Sequence, residues 1–164
     1  MLLIISIVDY LIQDNSSWGM MFSHVAYGFA LTIPLIPVHE IFHGMAYKYC
    51  GAPEVTYKAN WRKMYFMAMA DQFITGKNAF FLIGLAPFVL INLCLLIFAY
   101  LFDPLNSIML LSCPVVHSGM CAGDFALISF FDASRGREVV TFDDVTNQET
   151  FFYSRPLSVL AEKD

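Results

Sequence analysis

Between Ser16 and Tyr47 the chain carries a single Asp, Glu, Lys or Arg, and that residue, Glu40, stands inside His39-Glu40-Ile41-Phe42-His43. An apolar run of this length has few ways to fold. Away from water its backbone must satisfy its own hydrogen bonds, which selects a helix. On a helix the two histidines, four residues apart, lie one turn apart on one face. Each ionisable group in hydrocarbon costs about 2.5–3.5 kcal/mol on insertion scales, so these residues need a compensating partner. HExxH offers one: two imidazoles at a spacing that suits a single zinc ion, beside a Glu able to take a proton from an attacking water. The expectation is a membrane-embedded zinc hydrolase with Zn2+ as its cofactor.

Composition agrees. At 58% hydrophobic, 16% aromatic and 14% charged residues, with mean hydropathy +0.61, the chain is more apolar than a soluble globule. It calls for a lipid bilayer around it. Its 164 residues suit one domain. A net charge of −5 argues against a nucleic-acid partner. No basic segment precedes Met1-Leu2-Leu3-Ile4-Ile5, so no removable signal peptide is expected. Cys50, Cys94, Cys113 and Cys121 are scattered singly, which suits reduced, inert thiols rather than a zinc knuckle.

Residues 2–12 are largely apolar, but as a helix they reach only about 16 Å, short for a span. Asp14-Asn15-Ser16-Ser17 then offers an N-cap to a helix over 18–49. That helix would be about 48 Å long against a hydrocarbon core of about 30 Å. Pro34 and Pro37 predict a kink or break just before His39, with the second half ending at Gly51. Residues 52–78 are more polar and contain β-like runs at 55–59 and 64–68 around Asn60-Trp61-Arg62-Lys63, the pattern of a hairpin. Two further spans are expected at 79–102 and 107–131, joined by a turn at Asp103-Pro104-Leu105-Asn106. The fold class is thus an all-α integral membrane protein with small β additions. Residues 1–131 form the membrane-embedded domain, and 132–164 form a polar tail with β-like runs at 138–142 and 150–153, a small surface appendage. All nine Lys and Arg fall near the hairpin or in the tail. The positive-inside rule makes that side cytoplasmic, for a multi-pass protein expected in the plasma membrane.

A catalytic zinc site takes three protein ligands and keeps one open position. His39 and His43 supply two. His39 lies nine residues before Lys48, about 14 Å below the expected cytoplasmic surface. Asp124 lies eight residues before Asp132, about 12 Å below the same surface. The two depths match. His117 is the rival third ligand, seven residues before Asp124 on nearly the same face and about 10 Å deeper. It can alternatively serve as an outer hydrogen-bonding group or a core histidine. His24, fifteen residues before His39, is about 22 Å away along the axis and is read as structural. Gly119 and Gly123 suggest close packing of the last span on the HExxH helix. Pro87 frees a backbone carbonyl in the middle span. Asn92 carries an amide able to steady an oxyanion or to bond a neighbouring helix.

The HExxH helix, the hairpin, a Pro87-bearing span and Gly123-Asp124 together resemble the site-2 protease clan of intramembrane zinc metalloproteases. The likeness is closest to its small zincin-like membrane peptidases, and it covers residues 35–131. It implies a three-helix catalytic core, zinc held by His39, His43 and Asp124, and Glu40 as general base. It also implies a membrane-protein or membrane-peptide substrate cut in or beside a transmembrane segment. Better-known members place the metal Asp before a Gly, often after Asn-Pro, whereas here Cys121-Ala122-Gly123 precedes Asp124 and Phe125 follows it. A transmembrane substrate must unwind to expose a carbonyl, and the hairpin could pair with the unwound segment as an added strand. Two competing readings are a non-catalytic zinc-binding scaffold for client helices and a bis-His haem protein using His117. The haem reading leaves Glu40 without a role.

Overall fold

A computed structural model of the chain describes residues 18–60, 65–101 and 104–156. The apolar segment expected at 2–12 and its cap, the hairpin tip at 61–64, Asp103 of the expected turn and the end of the tail from 157 lie outside the described residues. The described chain is mostly helical. Its elements in order are α1 (Trp18–Tyr49), β1 (Thr56–Asn60), β2 (Tyr65–Met69), β3 (Thr75–Gly76), α2 (Lys77–Leu101), α3 (Pro104–Met120), α4 (Ala122–Ala133), β4 (Arg137–Asp144) and β5 (Glu149–Pro156).

α1 runs for 32 residues without interruption through Pro34 and Pro37, where a kink or break was expected. Each proline removes one backbone hydrogen bond. In so apolar a segment the surrounding backbone groups gain nothing by leaving their own helical partners. The helix stops where glycine permits it. Gly51 has φ +98°, Gly51 N–H donates to Lys48 O at 3.0 Å and Ala52 N–H donates to Tyr47 O at 3.0 Å, the paired bonds of a Schellman cap. Ala52 and Tyr47 also share a core cluster, which supplies the apolar contact that accompanies such caps.

Among the described residues two helical stretches, Phe22–Tyr49 and Lys77–Leu101, are long and apolar enough to cross a membrane. Large apolar side chains such as Phe22, Ile33, Leu93, Phe98 and Tyr100 stand exposed along them. The single span expected at 107–131 is two helices, α3 and α4, broken at Cys121, and they make a third candidate only if counted as one broken span. The break falls in Ser118-Gly119-Met120-Cys121-Ala122-Gly123, where two glycines weaken helix propensity.

The described residues fall into two compact units, one within 18–36 and 88–121 and the other within 37–87 and 122–156. In the first, α1 crosses α3 at Gly28. A Cβ there would overlap the Ser112 hydroxyl and the Met109 carbonyl, and Cys113 Sγ donates to Gly28 O at 3.1 Å. Gly119 and Gly123, expected to provide such an approach, have open space around them. The close contact is made instead by a small residue on α1 against serine and backbone on α3. Gly28→Ala is therefore expected to cost about 1–3 kcal/mol by overpacking. Gly19→Ala, with nothing near it, should leave the thermal unfolding temperature level or slightly raised.

The second unit holds the small sheets. β1 and β2 pair antiparallel, Tyr57 opposite Ala68, each strand starting one residue later than expected. β3, β4 and β5 form a three-stranded sheet, with Thr75 opposite Thr141 and Val140 opposite Tyr153. The tail is thus not an isolated appendage: β4 pairs with the strand that leads into α2. One apolar cluster gathers Ala46, Tyr47, Ala52, Ala70 and Ile83. Another gathers Phe80, Ile128, Phe131 and Val139. Gly84 lets α4 approach α2, since a Cβ there would come within 2.8 Å of Ile128 Cδ1. Gly44 receives the Tyr57 ring in the same manner.

Candidate metal centre

His39 and His43 project from the same face of α1 and are 7% and 8% exposed. Their Nε2 atoms lie 2.9 Å apart. Asp124, in the first turn of α4, sits where a carboxylate complements the helix dipole. Its Oδ2 is 3.2 Å from His39 Nε2 and its Oδ1 is 3.3 Å from His43 Nε2. The three residues thus offer ligand atoms that converge on one point. Four donors placed tetrahedrally on zinc at bonds of about 2.0–2.1 Å stand about 3.3–3.4 Å apart. The observed spacings are close to that, and two imidazoles with a carboxylate are a zinc donor set. The residues fit the ion.

The outer contacts favour the same use. His43 Nδ1 lies 2.9 Å from the Ile83 carbonyl oxygen, a buried hydrogen bond that only an Nδ1–H can make. That tautomer leaves the Nε2 lone pair facing His39 and Asp124. Glu40 Oε2 accepts a hydrogen bond from the Ala68 N–H of β2 at 2.8 Å. Glu40, His43 and Asp124 line a common cavity of about 210 Å³ walled by Phe66, Met67 and Ile83. Glu40 also borders a second hollow of about 200 Å³ formed by Pro37, Ile41, Tyr57 and Phe66. The Glu40 carboxylate therefore borders two spaces, one of which His43 and Asp124 also line.

His117, Asn92 and His24 lie in the first unit. His117 is fully buried. Its Nδ1 is 3.0 Å from Asn92 Oδ1 and its Nε2 is 3.8 Å from Cys121 Sγ. The Asn92 amide donates to Ser118 Oγ at 3.3 Å. Asn92 thus has the helix-to-helix bonds that were one of its two expected uses. His24 packs edge-on against Tyr27 at 6.2 Å. The four cysteines are free thiols.

Sequence reasoning missed Asp143. It is 4% exposed and lines the same cavity. It accepts from Tyr47 Oη at 2.7 Å, from the Ala70 N–H at 3.1 Å and from Thr150 Oγ1 at 2.8 Å. These three donors stabilise the carboxylate. Asp143 thereby joins the HExxH helix, the end of β2 and the tail. Strand periodicity held the signal: Val139, Thr141 and Asp143 alternate inward along β4, so a carboxylate on the face of Val139 needed an interior partner.

The family described as "Putative zincin peptidase" matches residues 32–131. No curated protein and no solved structure gives a match. The matched segment contains His39, Glu40, His43 and Asp124 and covers more than half of the chain. The chain therefore belongs to this zincin peptidase family, and the metal that the family implies is zinc.

Proposed function

We propose that the protein is an intramembrane zinc metalloprotease of the site-2 protease type, cutting a peptide bond in or next to a transmembrane segment of its substrate. The observation that carries this reading is the convergence of His39, His43 and Asp124 beside Glu40, on a chain whose α1 and α2 are apolar enough to span a bilayer. Exposed Phe22, Ile33, Leu93 and Phe98 are costly in water and natural against lipid. His39, His43 and Asp124 would hold the ion. The chemistry supplied by zinc when bound is Lewis-acid polarisation of a carbonyl and a lowered pKa for the attacking water.

The rest falls to the chain's own residues. Glu40 accepts a proton as the water oxygen bonds to the scissile carbon, and returns it to the amide nitrogen as the C–N bond breaks. The Ala68 N–H restrains one Glu40 oxygen, which leaves the other for that proton. His43 is oriented through Ile83. In this proposal β2 supplies both a wall of the cavity and the restraint on Glu40. Its Ala68 and Ala70 N–H groups already have carboxylate acceptors. An unwound substrate would find those two donors engaged, so strand addition there is not part of the proposal.

Proteomic comparison of membranes containing wild-type protein or Glu40→Gln tests the activity. Fragments ending within or beside transmembrane segments should accumulate only with the wild type. Bound zinc without any Glu40-dependent fragment would favour the non-catalytic scaffold instead.

A cytoplasmic-facing site follows from the positive-inside rule. Lys48 in the last turn of α1, Lys58 on β1, and Lys77 at the start of α2 belong to the unit that holds the site. In a cysteine-free background, an impermeant thiol reagent applied to intact cells should label Asn106→Cys and miss Glu54→Cys. The reverse pattern would invert the topology.

A further inference from the structure

We infer that Pro87 is a positioning residue for the metal site, because it strips the Ile83 carbonyl of its helical donor and so makes that carbonyl available to the Nδ1–H of His43. This rests on the reading of His43 as a zinc ligand. Pro87 lies inside α2. In an α-helix the N–H of residue i bonds the carbonyl of residue i−4, and four residues before Pro87 stands Ile83. Proline has no N–H to give. Both residues are buried, Ile83 at 3% exposed and Pro87 below 2%, so bulk water does not satisfy the orphaned oxygen. An unsatisfied buried carbonyl is unfavourable, and the imidazole of His43 fills the vacancy at 2.9 Å.

The consequence reaches the metal ligands through the tautomer. With the proton fixed on Nδ1, His43 must present the Nε2 lone pair, and the ring cannot turn without breaking a buried bond. The same turn of α2 also serves the third ligand. Gly84 admits Ile128, four residues after Asp124 on α4. A residue at 87 with an N–H would return a competing donor to the Ile83 oxygen. That oxygen has two lone pairs, so the expected result is a weakened hold on His43 rather than its loss.

The test uses the full chain in detergent, with Pro87→Ala and Pro87→Val, both of which restore the N–H. Zinc affinity is measured by competition with a chromophoric chelator, and thermal unfolding is followed in the metal-free protein. Affinity should fall about 10-fold in both variants, the low end of the effect of outer-shell substitutions. Metal-free stability should stay level or rise in Pro87→Ala, since alanine is the better helix former. A merely structural proline would not separate the two readouts in this direction. Unchanged affinity in both variants, or a loss confined to the larger valine, would overturn the inference. 15N spectra of histidine-labelled, metal-free wild type supply an independent reading that needs neither variant to fold. His43 should carry a proton on Nδ1, and a neutral ring protonated on Nε2 alone overturns the inference. Absence of zinc binding in the wild type would instead sink the metal-site reading, with the tautomer measurement still deciding the role of Pro87.

Discussion

Alanine at His39 or His43 is expected to take zinc content from one ion per chain to none. Each histidine contributes one of three converging donors, with Nε2 atoms 2.9 Å apart and a shared carboxylate at 3.2 and 3.3 Å. Loss of either leaves two ligands in a buried setting. Asp124→Ala should weaken binding by more than the roughly 10–100-fold that outer-shell substitutions cost. It also leaves the two imidazoles without the anion that offsets the charge of the ion. His117→Ala should keep most of the zinc, because His39, His43 and Asp124 already supply the three protein ligands that a catalytic site takes. Metal analysis of the purified variants separates these outcomes. Zinc lost in His117→Ala but kept in Asp124→Ala would reverse the ligand assignment. Chelation of wild type gives a companion measurement: at free zinc about 100 times its dissociation constant, binding stabilises the native state by about 2.7 kcal/mol. The unfolding temperature should drop on chelation in wild type and stay put in His39→Ala.

Legibility followed side-chain identity. His39, Glu40 and His43 announce themselves because their spacing carries chemistry, and Asp124 emerges from helical rise counted from Lys48 and Asp132. The hairpin and the two tail strands were visible through alternation and turn composition, each within a few residues of its observed bounds. What escaped is mostly backbone. The Ile83 carbonyl and the Ala68 N–H have no residue-type signature, since every position but proline carries both groups. Their roles depend on which strand or helix passes nearby. Asp143 escaped for a different reason: a carboxylate in a polar tail reads as solvated until β4 is paired and its inward face known. The uninterrupted α1 shows the limit of proline as punctuation. Pro34 and Pro37 leave the helix unbroken, while Pro87 also stays within a helix and frees a carbonyl that another residue uses.

Glu40→Gln should retain zinc and fold yet lose cleavage, and the separation of those readouts is the sharpest consequence of the site geometry. The amide is nearly isosteric, and its oxygen can still accept from the Ala68 N–H that holds Glu40 at 2.8 Å. Glu40 is not among the three converging ligands, so stoichiometric zinc is expected to persist. Replacing a largely buried carboxylate with a neutral group also relieves part of its desolvation cost, so the unfolding temperature should hold or rise slightly. What glutamine lacks is a site for the proton released as water attacks, and the means to hand that proton to the leaving nitrogen. General acid–base catalysis contributes about 10²–10⁴-fold, and here one residue serves in both directions, so the loss should fall at or beyond the upper end of that range. Turnover of an identified substrate by purified wild type and Glu40→Gln, each at one zinc per chain, measures it directly. Undiminished cleavage by the zinc-loaded glutamine variant would remove Glu40 from the chemistry and leave its bond to Ala68 as a structural tie between α1 and the hairpin.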